Sequence, residues 1–78
     1  GIGAASVLDV IVPGGSNVGG RPIRELDVPE ECVIAAIIRD NKFVVPRGGT
    51  IIEEEDQVYF IGPAAAIRDA CDMFIRQN

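Results

Sequence analysis

The sequence contains no histidine and no tryptophan, one tyrosine, one methionine and two cysteines. Without histidine it lacks the commonest general base and the commonest metal ligand. Its Ser, Thr and Cys side chains therefore have no imidazole partner, and no pair of carboxylates stands in an evident apolar pocket. The reading is non-catalytic, with neither a metal motif nor a cofactor fingerprint; an enzymatic role survives only if a partner chain supplies the missing base. Cys32 and Cys71 form no CxxC pair and lie in apolar surroundings, which fits buried free thiols in a reducing compartment. Only 7 residues are basic against 12 acidic ones, for a net charge of −5. No short window is basic, which argues against a nucleic-acid partner. The apolar runs are far shorter than a membrane span and no leader is visible, so direct membrane insertion is not expected.

What is present is apolarity in a short chain. The 78 residues make one small domain with little margin of stability, yet 47% of them are hydrophobic. Such apolarity without disulfides predicts surface buried against a second subunit, a homodimer.

The stretch Cys32–Pro46, CVIAAIIRDNKFVVP, organises the rest. Two β-prone segments flank the break at Asp40-Asn41, two residue types that tolerate positive φ, and the pattern predicts a β-hairpin. Pro46 ends the second strand. The first strand is apolar at successive positions, which predicts cover on both its faces.

Around the hairpin, Gly1–Ser6 reads as a linker remnant or lead-in, and residues 7–78 as the domain. Val7–Val12 is a first strand. Pro13–Gly20, with four glycines and a proline, is a loop. Arg21–Leu26 fits one or two helical turns with Pro22 near the first position. Ile51-Ile52 is a short buried anchor, Glu53–Asp56 a solvated acidic turn, and Gln57–Ile61 another strand closed by Gly62-Pro63. Ala64–Gln77 carries Ile67, Ala70, Cys71, Phe74 and Ile75 at helical spacing, an amphipathic helix. The order β-α-β-β-β-α predicts an α+β fold, a mostly antiparallel sheet with packed helices.

The loop Gly14–Gly20 is the best candidate for ligand contact. Its glycines let backbone N–H groups approach a phosphate or an adenine edge, and Asn17 offers both a donor and an acceptor. Read plainly, it is a mobile strand-to-helix connection, for it has neither the P-loop ending nor the dinucleotide glycine spacing. Glu53–Asp56 reads as solvated surface rather than a cation site, with Asp56 shaping the turn. Arg39 is either half of an exposed pair with Asp40 or a dimer-face contact for an acidic partner.

Four segments in order then carry a likeness: Asn17-Val18-Gly19-Gly20-Arg21-Pro22-Ile23-Arg24-Glu25-Leu26, Cys32 through Asn41, Val44–Thr50, and Glu55–Gly62. Together they resemble the RCK C-terminal (TrkA-C) domain over about residues 7 to 75. One departure is visible: Glu55 stands where the family often has Gly before the Asp of its last motif. The resemblance implies a cytoplasmic, dimeric regulatory module of potassium channels and transporters, usually following a nucleotide-binding RCK N-terminal domain. Some family members bind cyclic di-adenosine monophosphate (cyclic di-AMP) between two such domains. Their motif falls here on Ile11 at the Arg position and on Asn17 and Val18 at its later part. The basic contact then falls to Arg21 or Arg24. The ligand-binding residues implied are Ile11, Asn17, Val18 and Arg21.

Overall fold

The computed structural model describes residues 5–77. The strands are β1 (Ser6–Ile11), β2 (Val33–Arg39), β3 (Lys42–Val44) and β4 (Gln57–Gly62), and the helix α1 spans Ala64–Ile75. A single 3-10 turn, Ile23–Glu25, stands where one or two helical turns are expected. Pro22 at its start fixes an extended φ of −72°, and the chain is extended again at Leu26, so no α-helix propagates. The lead-in reading covers Gly1–Ala4, which lie outside the described residues, and Ser6, which is the first residue of β1.

The sheet order is β1-β4-β2-β3, and every strand pair is antiparallel. This is the expected α+β architecture. The hairpin closes with Arg39 opposite Lys42 across the two-residue turn. Asp40 and Asn41 have φ of 52° and 62°, positive at both central positions as a type I′ turn requires. A register shift between Ile34 and Ala36 marks a β-bulge in β2.

Directly opposed residues share a face, and faces alternate along each strand. Val58 and Phe60 of β4 therefore share the inner face with Ile37 and Ile34 of β2 and Val10 of β1. Helix α1 covers this face with Ala66, Ile67, Ala70 and Phe74; the Phe74 ring meets Phe60 edge-on at 5.0 Å. Burying Phe74 completely contributes about 1.5–3 kcal/mol. Val12, Val18 and Ile52, from the connecting segments, complete the core, with Ile23, Leu26 and Val28 packed against it. Gly62 is required where β4 passes the chain entering β2, because a Cβ there would stand 2.7 Å from the Glu31 carbonyl oxygen.

Among the described residues nothing covers the opposite face, which corrects the expectation for β2. Ile37 is fully buried on the inner side, but Val33 on the outer side is 59% exposed. The physical reason is supply: the described residues form one α-helix, and it lies on the other side of the sheet.

A polar knot ties β2 to the segment before β4. Asp56 is completely buried, which corrects the reading of Glu53–Asp56 as wholly solvated. Arg39 Nε and Nη2 each donate to an Asp56 carboxylate oxygen at 2.8 Å, and the Glu53 N–H donates to Asp56 Oδ2 at 2.9 Å. Arg39 Nη2 also reaches the Ile51 carbonyl, and Nη1 pairs with Glu53. Arg39 thus turns inward to Asp56 instead of pairing with Asp40, and its hydrogen bonds to Asp56 push the guanidinium pKa up. The expectation that Asp56 shapes its turn holds.

Candidate functional site

The glycine loop is a chain of three turns. Ser16 N–H donates to Pro13 O, Gly19 N–H to Ser16 O and Arg21 N–H to Val18 O, at 3.1–3.2 Å. Gly15 and Gly20, with φ of 81° and 82°, occupy the third positions of the first and last turns, where a type II turn needs left-handed backbone.

Long-range bonds fix the loop in place. Ser16 Oγ donates to the Phe74 carbonyl at 2.6 Å, and Asn17 N–H donates to the Arg76 carbonyl at 2.9 Å. The Gln77 side-chain amide donates to Gly14 O. Helix α1 leaves its last carbonyls unpaired, and this loop satisfies two of the acceptors at that end. On the other side Gly20 N–H donates to Ile52 O at 2.7 Å, and Ile52 N–H donates to Arg21 O at 3.0 Å. The Arg39–Asp56 knot holds the segment carrying Ile52, so it also holds the loop. Hydrogen bonds thus tie the stretch to α1 on one side and to Ile52 on the other.

The four residues implied by the motif occupy different surroundings. Ile11 ends β1 opposite Gln57, on the uncovered face of the sheet, and is half exposed. Asn17 is partly buried; its Oδ1 is, among the described residues, the one buried side-chain polar atom with no hydrogen-bond partner. Val18 is 2% exposed and its side chain belongs to the core, while its N–H donates to Ser16 Oγ at 3.3 Å and its carbonyl accepts from Arg21 N–H. Arg21 is exposed and lies over the 3-10 turn, its Nη2 donating to Glu25 O at 3.1 Å. Arg24 lies across the Gly48-Gly49 turn, and its N–H donates to Gly48 O.

Sequence reasoning missed Glu54. Its carboxylate accepts the Gly15 N–H at 3.2 Å and lies against Gly14, so an anion from the chain already rests on the loop. Nothing local in the sequence marks this contact, which joins residues far apart in the chain. Ser16 was visible within the loop, but not its bond to the end of α1. Among the described residues the single chain forms no pocket.

Fold and loop together define a small two-layer α+β module, with a helix on one sheet face and an anchored glycine loop beside the end of that helix. The sequence profile of the TrkA-C domain matches residues 7–75. The chain belongs to the TrkA-C domain family. Among related proteins, it is 26% identical over 70 residues to the Trk system potassium uptake protein TrkA homolog 2 of Methanosarcina mazei, covering 90% of this chain and 16% of that one. It is 35% identical over 57 residues to the TrkA homolog of Archaeoglobus fulgidus, covering 73% of this chain and 13% of that one. The chain therefore spans about a sixth or less of the length of these relatives. Among solved structures it resembles the RCK_C domain dimer of S. agalactiae BusR in complex with c-di-AMP. The TM-score is 0.76 at 29% identity, covering 88% of this chain and 95% of that one.

Proposed function

We propose that this chain is a non-catalytic, ligand-sensing and dimerising regulatory domain of a potassium uptake or channel system, working in the cytoplasm beside a membrane transport subunit. In this reading residues 7–78 are the domain, and the preceding residues lead from an RCK N-terminal domain. The observation that carries the reading is the likeness to a dimeric RCK_C domain holding c-di-AMP, a likeness that spans nearly all of both chains.

The residues favour recognition over chemistry. Ser16 Oγ is committed to Phe74 O and Thr50 Oγ1 to Val45 O. Burial, the larger cause, pushes both thiols above their ordinary pKa, away from the thiolate a nucleophile needs. For cyclic di-AMP, Ile11 offers an aliphatic surface to a base, Asn17 a polar edge, and Arg21 or Arg24 a charge for a phosphate. Binding across a two-fold axis favours one dimer geometry, and the attached transport subunit responds as a shifted population.

A second reading, a dimerisation module without a small-molecule site, is favoured by one observation. The Glu54 carboxylate occupies the Gly15 N–H that a phosphate would use. Light scattering and thermal melts with and without cyclic di-AMP separate the two. A dimer whose melting temperature rises with ligand supports the sensor; at 100 times Kd the gain is about 2.7 kcal/mol. A dimer indifferent to the ligand leaves the module, and a monomer that ignores the ligand overturns both.

A further inference from the structure

Beyond the edge strand β3 the chain turns through Arg47-Gly48-Gly49-Thr50. Thr50 N–H donates to Arg47 O at 3.0 Å and closes the turn. Thr50 Oγ1 accepts the Arg47 N–H at 3.0 Å and donates to Val45 O at 2.7 Å. On the other side Arg24 N–H donates to Gly48 O at 2.9 Å, and Ile23 N–H to Thr50 O at 3.0 Å. The turn is thus fixed against the 3-10 segment. The Arg24 side chain runs along it: Arg24 Cβ stands 3.4 Å from where a Gly48 Cβ would lie, and Nη1 3.4 Å from where a Gly49 Cβ would lie. Both glycines are exposed, and their N–H groups donate to no group among the described residues. The charges are uncommitted as well. Among the described residues the ion pairs all belong to Arg39, which holds Asp56 and Glu53. Arg24 and Arg47 are exposed and pair with no carboxylate there, in a chain of 12 acidic residues and only 7 basic ones.

We infer that this turn is a docking point for an acidic segment of a partner protein. Arg24 and Arg47 take carboxylates of that segment, and the Gly48 and Gly49 N–H groups offer further donors beside them. A guanidinium only donates, and its planar fork matches a carboxylate with two parallel bonds. Exposure decides against a small free anion. An ion held by exposed arginines stays in water, where each pair gains little. A protein segment covers the turn, excludes water and presents several carboxylates in register, so the same contacts steer and orient it. Net charge decides against nucleic acid: a chain of −5 repels a phosphate backbone, and such binding draws on more clustered cations than one turn holds. Arg21 is left for the phosphate of the ligand reading; its Nη2 donates to Glu25 O. The docking point depends neither on ligand sensing nor on the pairing of two copies.

The test is a titration of the isotope-labelled chain with decaglutamate, followed through its amide resonances, with decaglutamine and pyrophosphate as comparison probes. The expected result at low salt is a saturable shift centred on the Gly48 and Gly49 amides with decaglutamate and none with decaglutamine. The Kd should rise about tenfold between about 20 and about 200 mM salt, because screening weakens exposed charge contacts. Arg24→Gln/Arg47→Gln should raise the Kd at least about tenfold. Arg68→Gln/Arg76→Gln removes the same charge from exposed positions on α1 and at its end, and should leave the Kd within about twofold. Shifts centred elsewhere, or equal losses in the two double variants, overturn the assigned surface. A pyrophosphate Kd as low as that of decaglutamate shows a small-anion site and overturns the protein partner. No binding at millimolar decaglutamate overturns the inference outright. Circular dichroism checks that the variants fold, and the position of the shifts in the parent decides the surface even where one does not.

Discussion

Replacing Arg39 by Met removes both donors from a carboxylate that has no access to water. Asp56 then keeps a single hydrogen bond, from the Glu53 N–H. Breaking one side of a buried pair costs about 3–5 kcal/mol, because the remaining charge stays buried and uncompensated. The outer Arg39–Glu53 contact adds little, since the Glu53 side chain is 55% exposed and water screens it. A domain of 78 residues has roughly 4–12 kcal/mol of stability in all. At about 4–8 °C per kcal/mol for a domain of this size, Arg39→Met should melt about 12–40 °C below the parent. Thermal and urea unfolding by circular dichroism measure the loss. The double variant Arg39→Met/Asp56→Leu separates the buried charge from lost packing. It should recover at least about 2 kcal/mol of the single variant's deficit. A single variant that melts within 3 °C of the parent, or a double variant that recovers nothing, refutes the view that Arg39 holds the buried Asp56 side chain.

Three further outcomes are expected. Phe74→Ala, which empties the contact with Phe60, should cost about 3–5 kcal/mol by chemical denaturation; a loss under 1 kcal/mol would mean that α1 does not pack as described. Glu55 has φ of 70° in the turn before β4, a conformation that burdens any residue with a Cβ. Glu55→Gly should therefore raise stability by about 0.5–1 kcal/mol, and a drop in melting temperature counts against it. Cys32 and Cys71 are both held above their ordinary pKa of 9.0 by burial. A raised thiol pKa gives stability that is full below the unfolded value and is lost as pH rises through the folded one. Stability should thus be insensitive to these thiols below about pH 9 and decline above it, and the Cys32→Ala/Cys71→Ala variant should show a shallower decline in melts from pH 8 to 11.

Much of the fold was legible because its signals are local. Asp40-Asn41 between two β-prone runs determines the hairpin and its turn type, and the 3–4 spacing through Ile67, Ala70 and Phe74 determines the helix and its buried side. The departure at Glu55 gains a physical meaning: the position is left-handed, a conformation that glycine adopts without a Cβ penalty. What was not legible depends on partners distant in sequence. A run such as Cys32–Ile38 looks the same whether its second face is covered by its own chain or left open. Asp56 reads as one more acid in an acidic turn until the sheet brings Arg39 to it across 17 positions. Of the candidate residues, the loop position of Asn17 was legible, while the turning of Val18 into the core was not, and Arg21, expected at the start of a helix, precedes a single 3-10 turn.

The bonds between the glycine loop and the end of α1 have a kinetic side. Ser16 Oγ meets Phe74 O across 58 positions of the chain, so this closure belongs to the slowest contacts to form during folding. Once made, it leaves the loop and the last helical turn without separate ways of opening. Fraying of the turn frees Asn17, and lifting of the loop uncovers the Phe74 and Arg76 carbonyls to water. Loop and helix end therefore form one cooperative unit, whose amides exchange with solvent at a common free energy.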